Sequence, residues 1–351
     1  MSAVFIFIEY YVWFLMKCIF AAVLGCVIAS NAIAETEPLP AMYAPLANKS
    51  LLLDIENVSQ SFLIAAGERG HVLKSIDGTS WDQMSVPVQS TLTSVTFVGV
   101  KLGWAVGHDA TIIHTNDGGV SWQIQQFMPE REKPLLDVAF KDEKNGIAVG
   151  AYGQFFRTSD GGQNWHEEFH QEFLPIEDIE YLDELKMEDE EAYLDERSTI
   201  LPHFNRIVLD GRTAFIVGEV GLIAKSNDFG KTWSQFDSVY NGSFFDIERT
   251  QAGNLITAGL RGNVFRSLRN GTPWGHVKTN TTSLINDIVL TSDDRVLLLG
   301  NNGTLLISDD DGQRFRSRPQ QDGKALIAGT WFKSKLIAVS EDGIKTITIA
   351  K

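Results

Sequence analysis

Five copies of a Gly-x-x-Gly turn, each set between two apolar runs, divide this chain at nearly equal intervals. They are Gly67-Glu68-Arg69-Gly70, Gly150-Ala151-Tyr152-Gly153, Gly218-Glu219-Val220-Gly221, Gly259-Leu260-Arg261-Gly262 and Gly300-Asn301-Asn302-Gly303. Two variants, Gly107-His108-Asp109-Ala110 and Ser340-Glu341-Asp342-Gly343, bring the series to seven. The turns start at 67, 107, 150, 218, 259, 300 and 340, so five of the six intervals are 40 to 43 residues and one is 68. A repeat of this length overrides the two or three domains that 351 residues would otherwise suggest.

Each turn leads into an apolar strand and then into a polar turn that ends on an aromatic ring. Thr115 to Trp122, with Asp117, has the Asp-box form Ser/Thr-x-Asp-x-Gly-x-x-aromatic. So do Thr158 to Trp165 with Asp160, Ser226 to Trp233 with Asp228, and Ser308 to Phe315 with Asp310. The first copy, Ser75 to Trp81, is one residue short; the fifth, Ser267 to Trp274, has Arg269 in place of the aspartate; the seventh copy has none. The carboxylate of such a turn accepts backbone N–H groups, the glycine takes a positive φ, and the ring packs between sheets. The Asp-boxes are therefore expected to be structural.

Four strand-like runs fill each period. In the second copy they are 92–98, 103–106, 111–114 and 122–126. Helical periodicity is almost absent. The expected fold is all-β: a seven-bladed β-propeller of four-stranded antiparallel blades, occupying residues 35–351 as a single domain. The seventh copy has only three strands, 325–331, 335–339 and 344–350. The segment from Met42 to Ala47 is expected to add the fourth and close the ring, because both terminal blades would otherwise leave unpaired edges.

One segment breaks the period. Residues 167–203 form an insertion between blades 3 and 4, and from Glu167 to Arg197 there are fourteen acidic and two basic residues, a net of −12. The whole chain carries −15, so everything else carries about −3 and the acidity is local. Pro175 is placed to open a short helix with Ile176, Ile179 and Leu182 on one stripe. The insertion reads either as a solvated, partly mobile excursion or as a docking arm for a cationic partner surface. It lacks the ligand spacing of an EF-hand calcium loop.

Both cysteines, Cys18 and Cys26, lie in an apolar N-terminal stretch that reads as an export signal over residues 1–34, with the small-x-small site Ala32-Ile33-Ala34 before Glu35. The fifteen residues before Met16 are also apolar, which suggests a start at Met16. An uncleaved anchor over 4–28 and a loose lipoprotein box at Val23-Leu24-Gly25-Cys26 are competing readings that stay open. Each places the rest of the chain outside the cytoplasm: the periplasm, or a thylakoid lumen, with or without a membrane tether.

Propeller loops alternate between two faces. The Gly-x-x-Gly turns share one face with the connections between blades, and the acidic insertion belongs there too. The candidate binding residues are the turn residues around the axial opening: Glu68, Arg69, His108, Asp109, Tyr152, Glu219, Arg261, Asn301, Asn302, Glu341 and Asp342. Glu219 and Arg261, on adjacent blades, are the pair to test first. No phosphate-binding loop, His-rich metal pattern or Gly-x-Ser-x-Gly elbow is present, so no catalytic residue, cofactor or metal site is predicted. An acidic chain is a poor nucleic-acid binder.

The Asp-box is named from bacterial sialidases, so a glycoside-binding or glycoside-cleaving propeller is the alternative function. Carboxyl candidates exist among Glu68, Asp109, Glu219 and Asp342. However, the arginine cluster and the Arg-Ile-Pro signature of a sialidase are missing, and sialidases have six blades. A closer resemblance lies in Gly103-Trp104-Ala105-Val106-Gly107 followed by Thr115 to Trp122, and in Gly146-Ile147-Ala148-Val149-Gly150 followed by Thr158 to Trp165. These blades resemble the photosystem II stability/assembly factor family, over roughly residues 50 to 350. The resemblance implies a seven-bladed, non-enzymatic scaffold that holds an integral membrane partner on its extracytoplasmic side during assembly, and the chain is expected to be a monomer. The chain departs from that family in its scattered arginines, Arg69, Arg206, Arg261, Arg266 and Arg269, and in its acidic insertion.

Overall fold

Apolar runs of four to seven residues, reversed by tight turns, fold each period into an antiparallel meander. A computed structural model describes residues 37–268 and 271–349. The segment read as an export signal, both cysteines and Arg269 lie outside the described residues. The meanders give six four-stranded sheets and one three-stranded sheet, each ordered as in the chain from an inner to an outer strand. The inner strands are Leu52–Val58, Leu92–Val98, Leu135–Phe140, Phe204–Asp210, Phe244–Arg249, Ile285–Leu290 and Leu326–Phe332. This is the expected seven-bladed propeller.

Hydrogen bonds sort the turns into two faces. Three Asp-boxes are tied to the first-to-second-strand turn of their own blade: Gly118 N–H to Lys101 O, Gly161 N–H to Lys144 O and Phe229 N–H to Arg212 O, at 2.8–2.9 Å. Each Gly-x-x-Gly turn is tied instead to the residue before its own inner strand: Glu68 N–H reaches Leu51 O, Ala151 N–H reaches Pro134 O and Leu260 N–H reaches Ser243 O, all at 3.0 Å. That approach explains the first glycine. A Cβ on Gly67, Gly107, Gly150, Gly218, Gly259 or Gly300 would lie 2.0–2.4 Å from the carbonyl oxygen of the residue preceding the inner strand.

Within the Asp-boxes the carboxylates hold their turns. Asp117 accepts Val120 N–H and Ser121 N–H, and Asp228 accepts Lys231 N–H and Thr232 N–H, at 2.9–3.1 Å. Asp160 and Asp310 accept Asn164 N–H and Arg314 N–H, and the short first copy keeps the device through Asp77. The rings of Trp122, Trp165 and Trp233 meet Phe97, Phe140 and Phe155 edge-on, and Phe315 packs beside Ile256 and Leu306. Burial would raise Asp117, but bonds from Ser121, Thr115 and Val120 outweigh it and hold the carboxyl down at about 2. Bonds from Asn164 hold Asp160 at about 2 as well. A carboxyl depressed on folding contributes stability above its unfolded value, near 4, and loses it as pH falls through the folded value. The thermal midpoint should therefore drop steeply between about pH 4 and pH 2, and less steeply in an Asp117→Asn/Asp160→Asn variant.

Two expectations need correction. Met42 to Ala47 does not pair as a fourth strand of blade 7, whose sheet keeps three strands. Pro45 offers no N–H to a ladder, and Ala47–Lys49 closes into a 3-10 turn. The segment bonds to blade 1, Ala41 N–H to Val86 O and Ala44 N–H to the Gln83 side chain, while Ala44 and Ala47 pack in the cluster shared by blades 1 and 7. The ring closes by packing, with Ala328, Phe332, Ile337 and Val339 of blade 7 against Leu52, Ile55 and Leu63 of blade 1.

The insertion is helical and joins the core. Helix α1 (Ile176–Glu188) follows Pro175, and α2 (Glu190–Arg197) follows Asp189, whose side chain accepts Ala192 N–H as an N-cap. Phe173, Leu174, Leu182 and Leu201 are buried against Phe155, Phe204 and Trp233. Of the expected stripe, Leu182 is buried and Ile179 partly so, but Ile176 is 70% exposed, because the first turn of α1 projects beyond the blades.

Candidate functional site

The Gly-x-x-Gly turns place their two central residues differently. The first position turns back into the fold. Glu68 accepts Leu51 N–H, Glu219 accepts His203 N–H, Glu341 accepts Ala325 N–H, and Asn301 accepts the Asn286 amide. Asp109 accepts the Ser90 hydroxyl. Arg69, Tyr152, Val220, Arg261 and Asn302, at the second position, adopt a left-handed backbone and are exposed. His108 is exposed too, and Asp342 pairs with Lys324. Glu219 is committed to His203, and no ion pair joins it to Arg261 among the described residues. Of the residues singled out from sequence, the structure brings together Tyr152 and Glu219, through the His203 ring that touches both.

Tyr152 also lines a cavity of about 560 Å³ at the root of the insertion, with Arg131, Lys133 and Glu167 on one side and Arg197 to Thr199 on the other. Arg131 forks onto Glu167 at 2.8 and 2.9 Å, and Lys133 Nζ donates to Ser198 O. The acidic connection and the blade 3 turn thus form one continuous surface on the Gly-x-x-Gly face.

A second, larger cavity of about 640 Å³ lies on the axis, in the half of the channel that leads to the Asp-box face. Asp54, Ser94, Asp137, Arg206 and Asp287 line its base, and with Asp246 and Ala328 they form a ring at one register of the inner strands. Every blade carries an irregularity in its first strand pair just before this position. Four carboxylates reach the next blade and accept its backbone N–H: Asp54 from Val95, Asp137 from Ile207, Asp246 from Ile288 and Asp287 from Gly329, at 2.7–2.8 Å. Arg206 answers their charge, 3.1 Å from Asp246, 3.7 Å from Asp137 and 3.8 Å from Asp287. Burial would lower the Arg206 guanidinium, but Asp246, Asp137, Asp54 and Asp287 hold it protonated well above the arginine range.

One layer nearer the mouth stand Glu56 and Glu248. Burial, reinforced by Asp54 beside the first and Asp246 beside the second, pushes each carboxyl up to about 8. A raised carboxyl makes the folded state bind more protons than the unfolded chain. Its contribution is fullest below the unfolded value, near 4.5, and is lost as pH rises toward the folded one. Stability should therefore decline from about pH 5 to pH 8, and a Glu56→Gln/Glu248→Gln variant should flatten that slope in thermal unfolding.

Nothing in the sequence reading pointed to this axial ring, although its signal is there. Leu52-Leu53-Asp54-Ile55, Leu135-Leu136-Asp137-Val138, Phe244-Phe245-Asp246-Ile247 and Ile285-Asn286-Asp287-Ile288 set an aspartate into an apolar strand at one point of the period. Among the described residues no group of three or more His, Cys, Asp or Glu side chains stands where it could hold a metal, and no helix is long and apolar enough to cross a membrane.

Fold, repeat and inter-blade carboxylates define an Asp-box propeller of seven blades, a class that hosts many functions. The family model described as "Photosynthesis system II assembly factor YCF48" matches residues 72–134 and 125–237. The chain is 27% identical over 242 residues to "Photosystem II assembly protein Ycf48" of Thermosynechococcus vestitus, covering 68% of this chain and 62% of that one. It is 28% identical over 240 residues to "Photosystem II assembly lipoprotein Ycf48" of Picosynechococcus sp., covering 67% and 63%. The matches thus span less than two thirds of either relative. A solved structure described as "YCF48 bound to D1 peptide" superposes with a TM-score of 0.66 at 18% identity, covering 89% of this chain and all of that one. YCF48 from Cyanidioschyzon merolae superposes at 0.64 and 18%, covering 86% and 96%. In sequence the chain is similar to photosystem II assembly factors over residues 72–237, as its blade motifs implied, and in fold to two solved YCF48 structures.

Proposed function

We propose that this chain is a non-enzymatic, monomeric extracytoplasmic scaffold that binds a segment of a membrane-protein partner during assembly or operation. The observation that carries the reading is the combined likeness, in sequence and fold, to proteins named as photosystem II assembly factors, one of them solved with a D1 peptide. The apolar residues 4–28 support export, with a periplasmic or lumenal destination and a cleaved signal, helical anchor or lipid at the N-terminus; one relative is named a lipoprotein.

Docking is assigned to the Gly-x-x-Gly face. The exposed second turn positions Arg69, Tyr152, Arg261 and Asn302 are free to touch a partner, whereas Glu68, Glu219 and Asn301 serve their own blades. The acidic α1 surface extends this face. Removing residues 167–200 would strip Phe173, Leu174 and Leu182 from the core, so the informative variant neutralises exposed charge alone: Glu177, Glu180, Asp183, Glu184 and Glu188 to their amides. Recovery of an integral membrane protein from solubilised membranes, identified by mass spectrometry, should fall several-fold with this variant. Unchanged recovery would remove the docking role of the insertion. Turnover of a glycan panel by the intact chain would overturn the non-enzymatic reading.

A further inference from the structure

We propose that the axial cavity receives one extended cationic side chain, a lysine or arginine carried by a peptide approaching on the Asp-box face. The deep ring is internally satisfied: Asp54, Asp137, Asp246 and Asp287 each hold a backbone N–H of the next blade, and Arg206 answers their charge. The layer above it is less so, although Glu248 takes the Arg249 backbone N–H. Glu56 lines the cavity without a hydrogen-bond partner among the described residues, and Glu248 lines it from blade 5, across the ring. The rest of that layer is uncharged, with Ala139, Val208 and Val289 giving an apolar wall. An apolar wall leading to carboxyls suits the alkyl stem and charged head of lysine or arginine. An anion would meet more carboxylates than the single guanidinium can offset.

Proton balance gives the inference a signature. The groups facing Glu56 and Glu248 are the four ring aspartates and Arg206. With Arg206 as the only cation among the described lining residues, both glutamates keep protons near neutrality. A second cation seated beside them stabilises their ionised forms, so binding releases protons and tightens as pH rises. This site stands apart from the docking reading: it opens on the other face and is tested on the isolated chain.

The probe is the capped tripeptide acetyl-Gly-Lys-Gly-amide, with norleucine in place of lysine as the control. Titration calorimetry on the full chain, in two buffers of different ionisation enthalpy, should show one-to-one binding. Affinity should be about tenfold or more higher at pH 8.5 than at pH 6, with proton release and no binding of the control. Glu56→Gln/Glu248→Gln should weaken binding about tenfold or more, and Val208→Phe, which narrows the cavity without changing charge, should abolish it. Absence of binding, affinity independent of pH, or undiminished binding by folded Val208→Phe would overturn the proposal. The last result would place the peptide on the acidic insertion instead.

Discussion

Replacing Arg206 with methionine should destabilise the propeller by about 3–5 kcal/mol at neutral pH, because it leaves buried carboxylates without their counter-charge. Arg206 occupies in blade 4 the register that aspartates occupy in blades 1, 3, 5 and 6. Its guanidinium lies within 4 Å of carboxylates from blades 3, 5 and 6, so one side chain ties together sheets far apart in sequence. Burial already raises Asp137, Asp246 and Asp287, and without Arg206 they would take protons more readily still. The penalty should therefore shrink as pH falls from 7 to 5, because carboxyls that take up protons repel one another less. Urea titrations of both proteins at pH 7 and pH 5 give the comparison. A difference below about 1 kcal/mol at pH 7 would mean that backbone N–H groups alone satisfy the ring.

The second large effect concerns the insertion. Leu182→Ala should cost about 2–5 kcal/mol, the range for removing a buried leucine from a packed core. Leu182 is 4% exposed and belongs to the cluster containing Phe173, Leu174, Leu201 and Trp233. The loss should be read by hydrogen exchange in α1 and in blades 3 and 4, where faster exchange is expected. Leu194, 53% exposed on α2, is the matched control and should cost little. Equal costs at the two positions would mean that the insertion sits loosely on the blades.

The blades were legible because their turns demand particular residues. A glycine is required where the turn crosses its own inner strand, and an aspartate where a four-residue loop leaves N–H groups to satisfy, so spacing revealed blade count and strand order. The axial ring was harder to see. A strand aspartate such as Asp137 reads locally as a break in an apolar run, and its partner, the Ile207 N–H, is 70 residues away. The seventh blade misled because edge pairing is one of several ways to satisfy an edge; Pro45 and the Ala47–Lys49 turn favour another. The helix after Pro175 was readable, but the stripe was misplaced at Ile176, where the first turn lies beyond the core. Among the turn residues, composition alone does not separate Glu219, which serves its own blade, from Arg261, which is exposed.

The central claim is that the Gly-x-x-Gly face meets a membrane-protein partner. Photo-crosslinking amino acids placed singly at Tyr152, Val220 and Arg261 on that face, and at Ile76 and Val120 on the Asp-box face, test it most directly in native membranes. All five positions are exposed, so side-chain removal leaves the fold intact. Crosslinks to one integral membrane protein from the first three positions are predicted, with few from the last two. Crosslinks to such a protein from Ile76 and Val120 alone would contradict the account.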